Sequence, residues 1–269
     1  MHPRISVNSL CFPGADLAAM EQHWRALSPD RVSFVSHLLG PDLEQPRRIL
    51  ADGGHRLEAV THLFYEVQNL DRDPQRWAAE RARLDRVVDA VAELGGRSVY
   101  LMTGGHAGMT WEEAAACFAE AVAPCVDHAA AAGVRLMIET TSPFYADGHL
   151  THTLRDTVRL AELAGTGVCI DIWATWTEAG LQETIARAAG RCDLVQVSDY
   201  VYGDRAMPCR AVPGDGDIPL ERILGWILDA GYTGAFDLEL IGPRIDAEGH
   251  RAAAARAAAA VGDLLDRLT

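Results

Sequence analysis

Short apolar runs alternate with helical patterns along this 269-residue chain, and this alternation restricts the fold more than any other feature. Each run is nearly continuously apolar, which is typical of parallel strands that are covered on both faces. The eight runs are Ile5–Leu10, Val32–Ser36, Leu57–His62, Ser98–Met102, Val134–Glu139, Gly167–Ile172, Leu194–Ser198 and Ala235–Leu240. Eight strand–helix units in a chain of this length predict a (β/α)8 TIM barrel that forms a single domain over residues 1–269. A doubly wound sheet is disfavoured, because Gly14 stands alone where a glycine-rich fingerprint would follow the first strand.

Helix signals occupy the segments between these runs. Thr110 and Glu113 have the spacing of a capping box at a helix start. Asp217 precedes an apolar helical stripe that begins at Leu220. The alanine-rich stretch from about residue 247 to residue 268 predicts one final helix.

The last four predicted strands each carry a polar residue near the carboxyl end. These residues are Glu139, Asp171, Gln196 and Glu239. TIM barrels build their active sites at this end, so the four side chains are expected to share one pocket. Three carboxylates in a partly buried pocket repel one another by several kcal/mol unless a positive charge neutralises them.

The composition limits the source of that positive charge. All 24 basic residues are arginine, against 38 acidic residues, and the formal net charge is −14. The absence of lysine from the sequence excludes Schiff-base and P-loop chemistry, and the negative charge argues against nucleic acid as a partner. We therefore expect one divalent metal ion on Glu139, Asp171, Gln196 and Glu239. Oxygen ligands favour Mn²⁺ or Mg²⁺, with Co²⁺ or Zn²⁺ as further candidates.

With these residues, the chain resembles the xylose isomerase-like TIM barrels, the sugar phosphate isomerase/epimerase superfamily. The resemblance covers nearly the whole chain and is strongest from Asp171 to Glu239, including Gln196-Val197-Ser198-Asp199 and Arg210-Ala211-Val212-Pro213-Gly214-Asp215-Gly216. It implies that Glu139 and Glu239 are metal ligands that also move protons on opposite sides of the substrate. Asp171 and Gln196 would be ligands only, and Arg210 would orient substrate oxygens.

Two positions depart from the pattern of that family. Ketose epimerases usually have histidine where this chain has Gln196, whereas hydroxypyruvate isomerase-like and 3-dehydroshikimate dehydratase-like members have glutamine. Many members also have histidine three residues after the strand-six aspartate, where this chain has Ala174. The resemblance thus leaves both isomerases and lyases open.

Further residues are expected near the same rim. His62 ends the third run and His106 follows the fourth; family members often place histidines there to contact substrate hydroxyls. Trp173, beside Asp171, is expected to wall the pocket, and Asp199 to hold Arg210 or a substrate hydroxyl. Solvated loop histidines and ordinary aromatic packing are the alternatives. The segment 213–217 is expected to be a turn that positions the arginine and caps the next helix.

These residues predict a metal-dependent isomerase or epimerase of an unphosphorylated sugar, cyclitol or related α-hydroxy ketone. It would remove a proton beside a carbonyl and return it elsewhere through a metal-stabilised enediolate. The first alternative is a lyase that expels a β-hydroxyl, as dehydratases of 3-dehydroshikimate or inosose do, or a carbon-linked aglycone from a 3-keto-glycoside. An apurinic-site endonuclease is disfavoured by Ala174, Gln196 and the net charge. A sugar-binding barrel without activity is disfavoured by the intact glutamates Glu139 and Glu239.

The sequence also predicts the cellular compartment and the partners of the protein. Six cysteines show no CxxC spacing, and the chain has neither an apolar run of about eighteen residues nor a signal-peptide pattern. We therefore expect a cytoplasmic protein with a small carbohydrate-like substrate and no nucleic acid or membrane partner. Assembly into a homo-oligomer is left open.

Overall fold

Eight parallel strands close into a barrel in the computed structural model, which describes residues 1–65 and 69–269. Each strand pairs with the next along the chain, and the first pairs with the eighth. The strands are β1 Ile5–Asn8, β2 Arg31–Val35, β3 Arg56–Leu63, β4 Ser98–Met102, β5 Arg135–Glu139, β6 Gly167–Asp171, β7 Cys192–Val197 and β8 Ala235–Leu238. The predicted (β/α)8 barrel is confirmed.

The helices of the described residues lie between and after these strands. They are α1 Leu17–Leu27, α2 Glu44–Gly53, α3 Trp77–Glu93, α4 Trp111–Ala131, α5 Leu154–Ala164, α6 Ile172–Thr175, α7 Leu181–Ala188, α8 Leu220–Asp229, α9 Pro243–Glu248 and α10 His250–Leu268. Short 3-10 turns cover Ser9–Cys11, Ser36–Leu38, Pro74–Arg76, Pro143–Tyr145 and Ala189–Arg191. Over residues 1–65 and 69–269, none of the helices has the length and apolarity needed to cross a membrane.

The local helix predictions have mixed outcomes. The capping box is confirmed, since the Thr110 side chain accepts from the N–H of Glu113 and the glutamate carboxylate accepts from the N–H of Thr110. The predicted final helix is confirmed as α10, but it begins at His250 and not near residue 247, because Gly249, with φ of 95°, separates it from α9. Asp217 does not cap α8. Its carboxylate accepts a hydrogen bond from the N–H of Tyr202, and Pro219 occupies the cap position.

A small apolar layer closes the inside of the barrel below its carboxyl end. It consists of Ala59, Tyr100, Met137, Cys169, Leu194 and Ala235, all of which are buried. Side chains two residues apart on a strand point the same way. Glu139, Asp171 and Gln196 each follow a member of this layer by two residues, so all three project into the barrel just above it. The apolar layer thereby forms the floor of a polar pocket.

Candidate active site

A cavity of about 390 Å³ opens at the carboxyl end of the barrel. Its lining includes three predicted carboxylates, which come from β5, from β6 and from the residue that follows β8 by one position. These are Glu139, Asp171 and Glu239, and each is buried. Arg210 lines the same cavity and is also buried. Gln196 is fully buried and does not line the cavity. The structure therefore brings the predicted strand-end residues together.

Arg210 supplies the positive charge closest to these carboxylates. Its Nη2 lies 2.7 Å from Oδ2 of Asp171 and 3.0 Å from Oε1 of Glu239. Its Nη1 donates to Oδ1 of Asp171 at 3.2 Å and to Oγ of Ser198 at 2.9 Å. The guanidinium carbon lies 5.0 Å from the centre of the Trp173 ring, a cation–π distance. Because one cation serves three carboxylates, a charge of −2 is left when all are ionised.

The two glutamates are hard to ionise. Burial raises the pKa of Glu139 well above its ordinary value, and the charges of Glu239 and Asp171 raise it further. Burial likewise raises the pKa of Glu239 to about 7, while the contact with Arg210 opposes that rise. Because the arginine contacts only one of the two glutamates, Glu139 is better suited to hold a proton and Glu239 to accept one.

Gln196 connects β7 to this pair. Its Nε2 donates a short hydrogen bond to Oε2 of Glu239, and its Oε1 lies 3.4 Å from Sγ of Cys169. The amide therefore presents nitrogen, and not oxygen, to the glutamate. A half-turn about the Cγ–Cδ bond would exchange the two atoms and aim the oxygen at the cavity.

The donor set fits a hard divalent cation in its chemistry. Glu139, Asp171, Gln196 and Glu239 offer carboxylate and amide oxygens, the ligands that Mg²⁺ and Mn²⁺ prefer. Burial is the main reason for the raised pKa of Glu139, and the negative charges of Glu239 and Asp171 raise it further despite the presence of Arg210. Within the described part of the chain, no three His, Cys, Asp or Glu side chains form a ready-made metal site. Coordination would require Asp171 and Glu239 to exchange contacts with the guanidinium for contacts with the ion.

The backbone around Arg210 is fixed by its neighbours. Asp199, just after β7, exchanges backbone hydrogen bonds of 2.9 and 2.8 Å with Ala211. The N–H of Arg210 donates to the carbonyl oxygen of Ile241 at 3.2 Å. These bonds place the arginine between the ends of β7 and β8, where its side chain can reach Asp171.

The carboxylate of Asp199 lies elsewhere than predicted. Its Oδ2 accepts from the N–H groups of Gly214 and Gly216 at 2.9 and 3.0 Å, and its Oδ1 accepts from the N–H of Ile218 at 3.0 Å. A Cβ at Gly216 would lie 2.3 Å from Oδ1, so the turn needs glycine there. Asp199 thus holds the turn that follows Arg210, in place of the predicted contact with substrate or with that arginine.

Two of the remaining predicted substrate contacts lie in the cavity. His62 and Trp173 line it, whereas His106 is partly exposed and lies outside its lining. The Nδ1 of His62 lies 3.0 Å from Oγ of Ser36, and its buried Nε2 has no partner within the described residues. Burial and the charge of Arg83 lower the pKa of His62 to about 4, so the ring is neutral at pH 7. Its Nε2 is therefore free to bond a substrate oxygen.

His149 supports Glu139, and the sequence analysis did not single it out. Its Nδ1 accepts from the N–H of Thr103 at 2.9 Å, and its Nε2 lies 2.8 Å from the carbonyl oxygen of Glu139. These partners require the neutral ring with a proton on Nε2. Burial lowers the pKa of His149 to about 3, in agreement with that tautomer. No local sequence pattern distinguishes this loop histidine from solvated ones.

A buried carboxyl below the site was also missed. Asp237 lies inside the barrel, where it accepts from Nδ2 of Asn8 at 2.7 Å and from Oγ of Ser33 at 2.9 Å. Burial raises its pKa to about 6. The sequence did contain a signal for this position. Asp237 lies two residues before Glu239, and side chains two residues apart on a strand face the same side, here the barrel interior. The charge of Asp237 adds to the forces that raise the pKa of Glu239.

Comparison with known proteins agrees with this architecture. The family model described as xylose isomerase-like TIM barrel matches residues 15–263. A search among curated proteins finds no match. Protein SMc04130 from Sinorhizobium meliloti 1021 is 24% identical over 98% of both chains, with a TM-score of 0.80. An L-ribulose 3-epimerase is 21% identical over 98% of this chain and 95% of its own, with a TM-score of 0.81.

A third structure is that of an IOLI protein with a bound zinc atom. It is 14% identical over 99% of both chains, and its TM-score is 0.82. At identities below 25%, the three structures support the fold alone. The match to the family model covers well over half of the chain and includes all of the strand-end residues described above. This chain therefore belongs to the family of xylose isomerase-like TIM barrels.

Proposed function

We propose that this protein is an isomerase or epimerase of a sugar, cyclitol or related α-hydroxy ketone. The observation that carries the proposal is the pair of buried glutamates in one cavity. Glu139 ends β5, whereas Glu239 follows β8, so β6 and β7 separate the two carboxyls around the rim. The pKa of each is raised. Two such groups on different sides of a substrate suit removal of a proton and its return to another position.

The two glutamates take unequal parts in this chemistry. Glu239, in contact with Arg210, removes the proton beside the carbonyl. Glu139, whose pKa is raised by burial and by the neighbouring carboxylates, returns a proton to the neighbouring position. Arg210 and His62 bind the substrate oxygens, and the buried position of Arg210 strengthens its interaction with negative charge.

A divalent metal ion is part of the proposal. Mn²⁺ or Mg²⁺, or else Co²⁺ or Zn²⁺, would be held by Glu139, Asp171, Gln196 and Glu239, and would polarise the carbonyl as a Lewis acid. Two observations support this assignment. The four side chains offer oxygen ligands, and the three carboxylates carry more negative charge than Arg210 neutralises. With the ion bound, Asp171 and Glu239 would give up their contacts with Arg210, and its guanidinium would then be available to substrate oxygens.

A lyase reaction on the same scaffold is the second candidate. Removal of a proton beside a carbonyl is also the first step of eliminating a β-hydroxyl or an aglycone, so Glu139 and Glu239 suit both outcomes. A second cavity, whose lining includes Phe144, Trp176 and Tyr200, adjoins the catalytic one and favours a substrate with a leaving group larger than hydroxide. The L-ribulose 3-epimerase among the similar structures favours epimerisation.

The test is NMR of substrates in D₂O with Mn²⁺ or Mg²⁺ added. The panel consists of ketoses, inososes and 3-keto-glycosides, all without phosphate. We expect deuterium to enter beside the carbonyl of at least one compound, and the product spectrum distinguishes isomerisation, epimerisation and elimination. Metal binding without exchange in any compound would refute the proposed enzyme and favour a binding protein.

We also propose that the activity is cytoplasmic and acts on a small molecule. All six cysteines are free thiols, and four of them are buried. Free thiols persist in reducing compartments. The net charge of −14 opposes phosphate-rich partners such as nucleic acid.

A further inference from the structure

A second cavity, of about 310 Å³, adjoins the catalytic one. The two cavities share Ser142 and Trp173 in their linings, so they meet at these side chains. The second cavity extends away from the carboxylates towards the 3-10 turn at Pro143–Tyr145 and the loop after β7. A substrate held by Arg210 could therefore continue past Trp173 into this space.

Four of the twelve residues that line the second cavity are aromatic. Phe144, Trp173, Trp176 and Tyr200 contribute rings, and Met207 adds a polarisable thioether. The ring centres of Trp176 and Tyr200 are 6.2 Å apart. Aromatic and thioether groups bind flat apolar rings through dispersion and edge contacts.

The charged groups of this cavity already have partners. Nη1 of Arg205 donates to the hydroxyl of Tyr200 at 2.7 Å, and Oδ2 of Asp204 accepts from Nε of Arg244 at 2.9 Å. In contrast to these charged groups, the neutral indole Nε1 of Trp173 is buried and has no hydrogen-bond partner within the described residues. Trp173 lines both cavities, and its unpaired N–H is a hydrogen-bond donor for a ligand oxygen.

Ala174 contributes only a methyl group to the lining of this cavity. This residue, on α6, lines the second cavity at the position where many family members have a histidine. Exposed apolar side chains also gather beside it. Phe144 is 75% exposed and Tyr202 is 67% exposed, and the ring of Tyr202 lies 5.8 Å from that of Trp176. A ligand ring in the cavity would cover part of this apolar surface.

We propose that the second cavity binds an aromatic ring attached to the substrate, so that the preferred substrates are aryl-substituted sugars such as aryl keto-glycosides. The proposal rests on the proposed function, because the sugar part must occupy the catalytic cavity. Trp173, which lines both cavities, then lies between the two parts of the substrate. Continuity with the catalytic cavity favours a substrate ring over a second copy of the chain as the occupant.

The test compares phenyl β-D-glucoside with methyl β-D-glucoside by calorimetry. Neither compound has a carbonyl, so binding is measured without turnover and does not depend on the proposed reaction. The phenyl compound is expected to bind about tenfold more tightly, since burial of a ring removes apolar area from water. The two variants that test the location are Ala174→Phe, which fills the cavity, and Phe144→Ala, which removes a surface ring. Both should reduce the preference to about twofold or less.

The control variant is Leu163→Ala, which removes another exposed apolar side chain, 56% exposed and on α5. It should keep the tenfold preference. Equal binding of the two glucosides by the wild type, or a preference that survives both test variants, would overturn the proposal. So would a wild-type dimer that Phe144→Ala converts to a monomer without any phenyl preference, since the aromatic surface would then be an interface between copies. Loss of exchange in D₂O with the phenyl preference intact would refute the proposed reaction and leave the subsite standing.

Discussion

Arg210 and Asp171 form a bidentate ion pair inside the carboxyl end of the barrel. Nη2 of the arginine lies 2.7 Å from Oδ2 of the aspartate, and Nη1 lies 3.2 Å from Oδ1. Both side chains are buried, and the same guanidinium reaches Glu239 at 3.0 Å. The charges of this pair therefore influence the pKa values of the two proposed catalytic glutamates.

Replacing this arginine should damage both stability and activity. Arg210→Gln leaves buried carboxylates without their cation, and we expect the free energy of unfolding to fall by about 3 to 5 kcal/mol. The rate of deuterium exchange should fall by about 100-fold or more. The control is Arg256→Gln, which breaks the ion pairs of an exposed arginine with Asp215 and Glu248 and should cost below about 1 kcal/mol. Urea unfolding that gives equal losses for both variants would contradict the role of the buried pair.

The same substitution should have the opposite effect on metal binding. In Arg210→Gln, Asp171 and Glu239 are released from the guanidinium, so we expect Mn²⁺ to bind about tenfold more tightly while activity falls. Asp171→Asn should weaken Mn²⁺ binding instead, because it removes a charged ligand. Titration followed by electron paramagnetic resonance measures both affinities without substrate. Weaker Mn²⁺ binding by Arg210→Gln would show that the arginine supports the metal site and does not compete with it.

Acid should destabilise the protein partly through His149. Its pKa is about 3 in the folded protein and about 6.5 in an unfolded chain, so the unfolded chain binds more protons between these values. The contribution is complete above pH 6.5 and is lost as the pH falls towards 3. His149→Gln should flatten the pH dependence of the unfolding free energy in this window by several kcal/mol. His128→Gln, at an exposed histidine, is the matched control. An unchanged slope in His149→Gln would disprove this assignment.

The turn after Arg210 should tolerate no side chain at Gly216. A Cβ there would lie 2.3 Å from Oδ1 of Asp199 and 2.5 Å from the carbonyl oxygen of Tyr200. Gly216→Ala should therefore displace Asp199, misplace Arg210 and lower kcat/KM by about tenfold or more. Gly190→Ala is the control, because a Cβ at that position meets no atom within 4 Å. The account of this turn fails if steady-state assays find the two variants equally active.

Much of the fold follows from the spacing of apolar runs. The runs that contain β4, β6 and β8 are nearly continuous in apolar residues, as strands covered on both faces must be. The carboxyl-end rule then places Glu139, Asp171 and Glu239 around one pocket before any coordinates are known. The start of the last helix was predicted about three residues too early, because nothing in the sequence beside Gly249 shows that its φ is positive and ends α9 there.

The contacts within the site were less predictable. Arg210 lies 39 residues from Asp171 in the chain, and no sequence pattern specifies that they pair. An aspartate at position 199 is compatible with either a turn or a substrate contact. Only the positions of the surrounding backbone N–H groups show that its carboxylate holds the turn. The aromatic cavity combines Phe144, Trp176 and Tyr200 from three separate segments. Such long-range contacts depend on how the loops after β5, β6 and β7 pack together.

The most direct test of the central claim compares Glu139→Gln and Glu239→Gln in D₂O, with the substrate that the wild type accepts. If Glu239 removes the proton and Glu139 returns it, Glu239→Gln should lose both deuterium entry and product formation by 100-fold or more. Glu139→Gln should still admit deuterium beside the carbonyl while product formation falls by a similar factor. Circular dichroism confirms that both variants are folded. Because each substitution removes a charged metal ligand, the Mn²⁺ affinity of each variant is measured first and the assays use a saturating Mn²⁺ concentration. Deuterium entry at the wild-type rate in Glu239→Gln would contradict the assignment of that glutamate as the base.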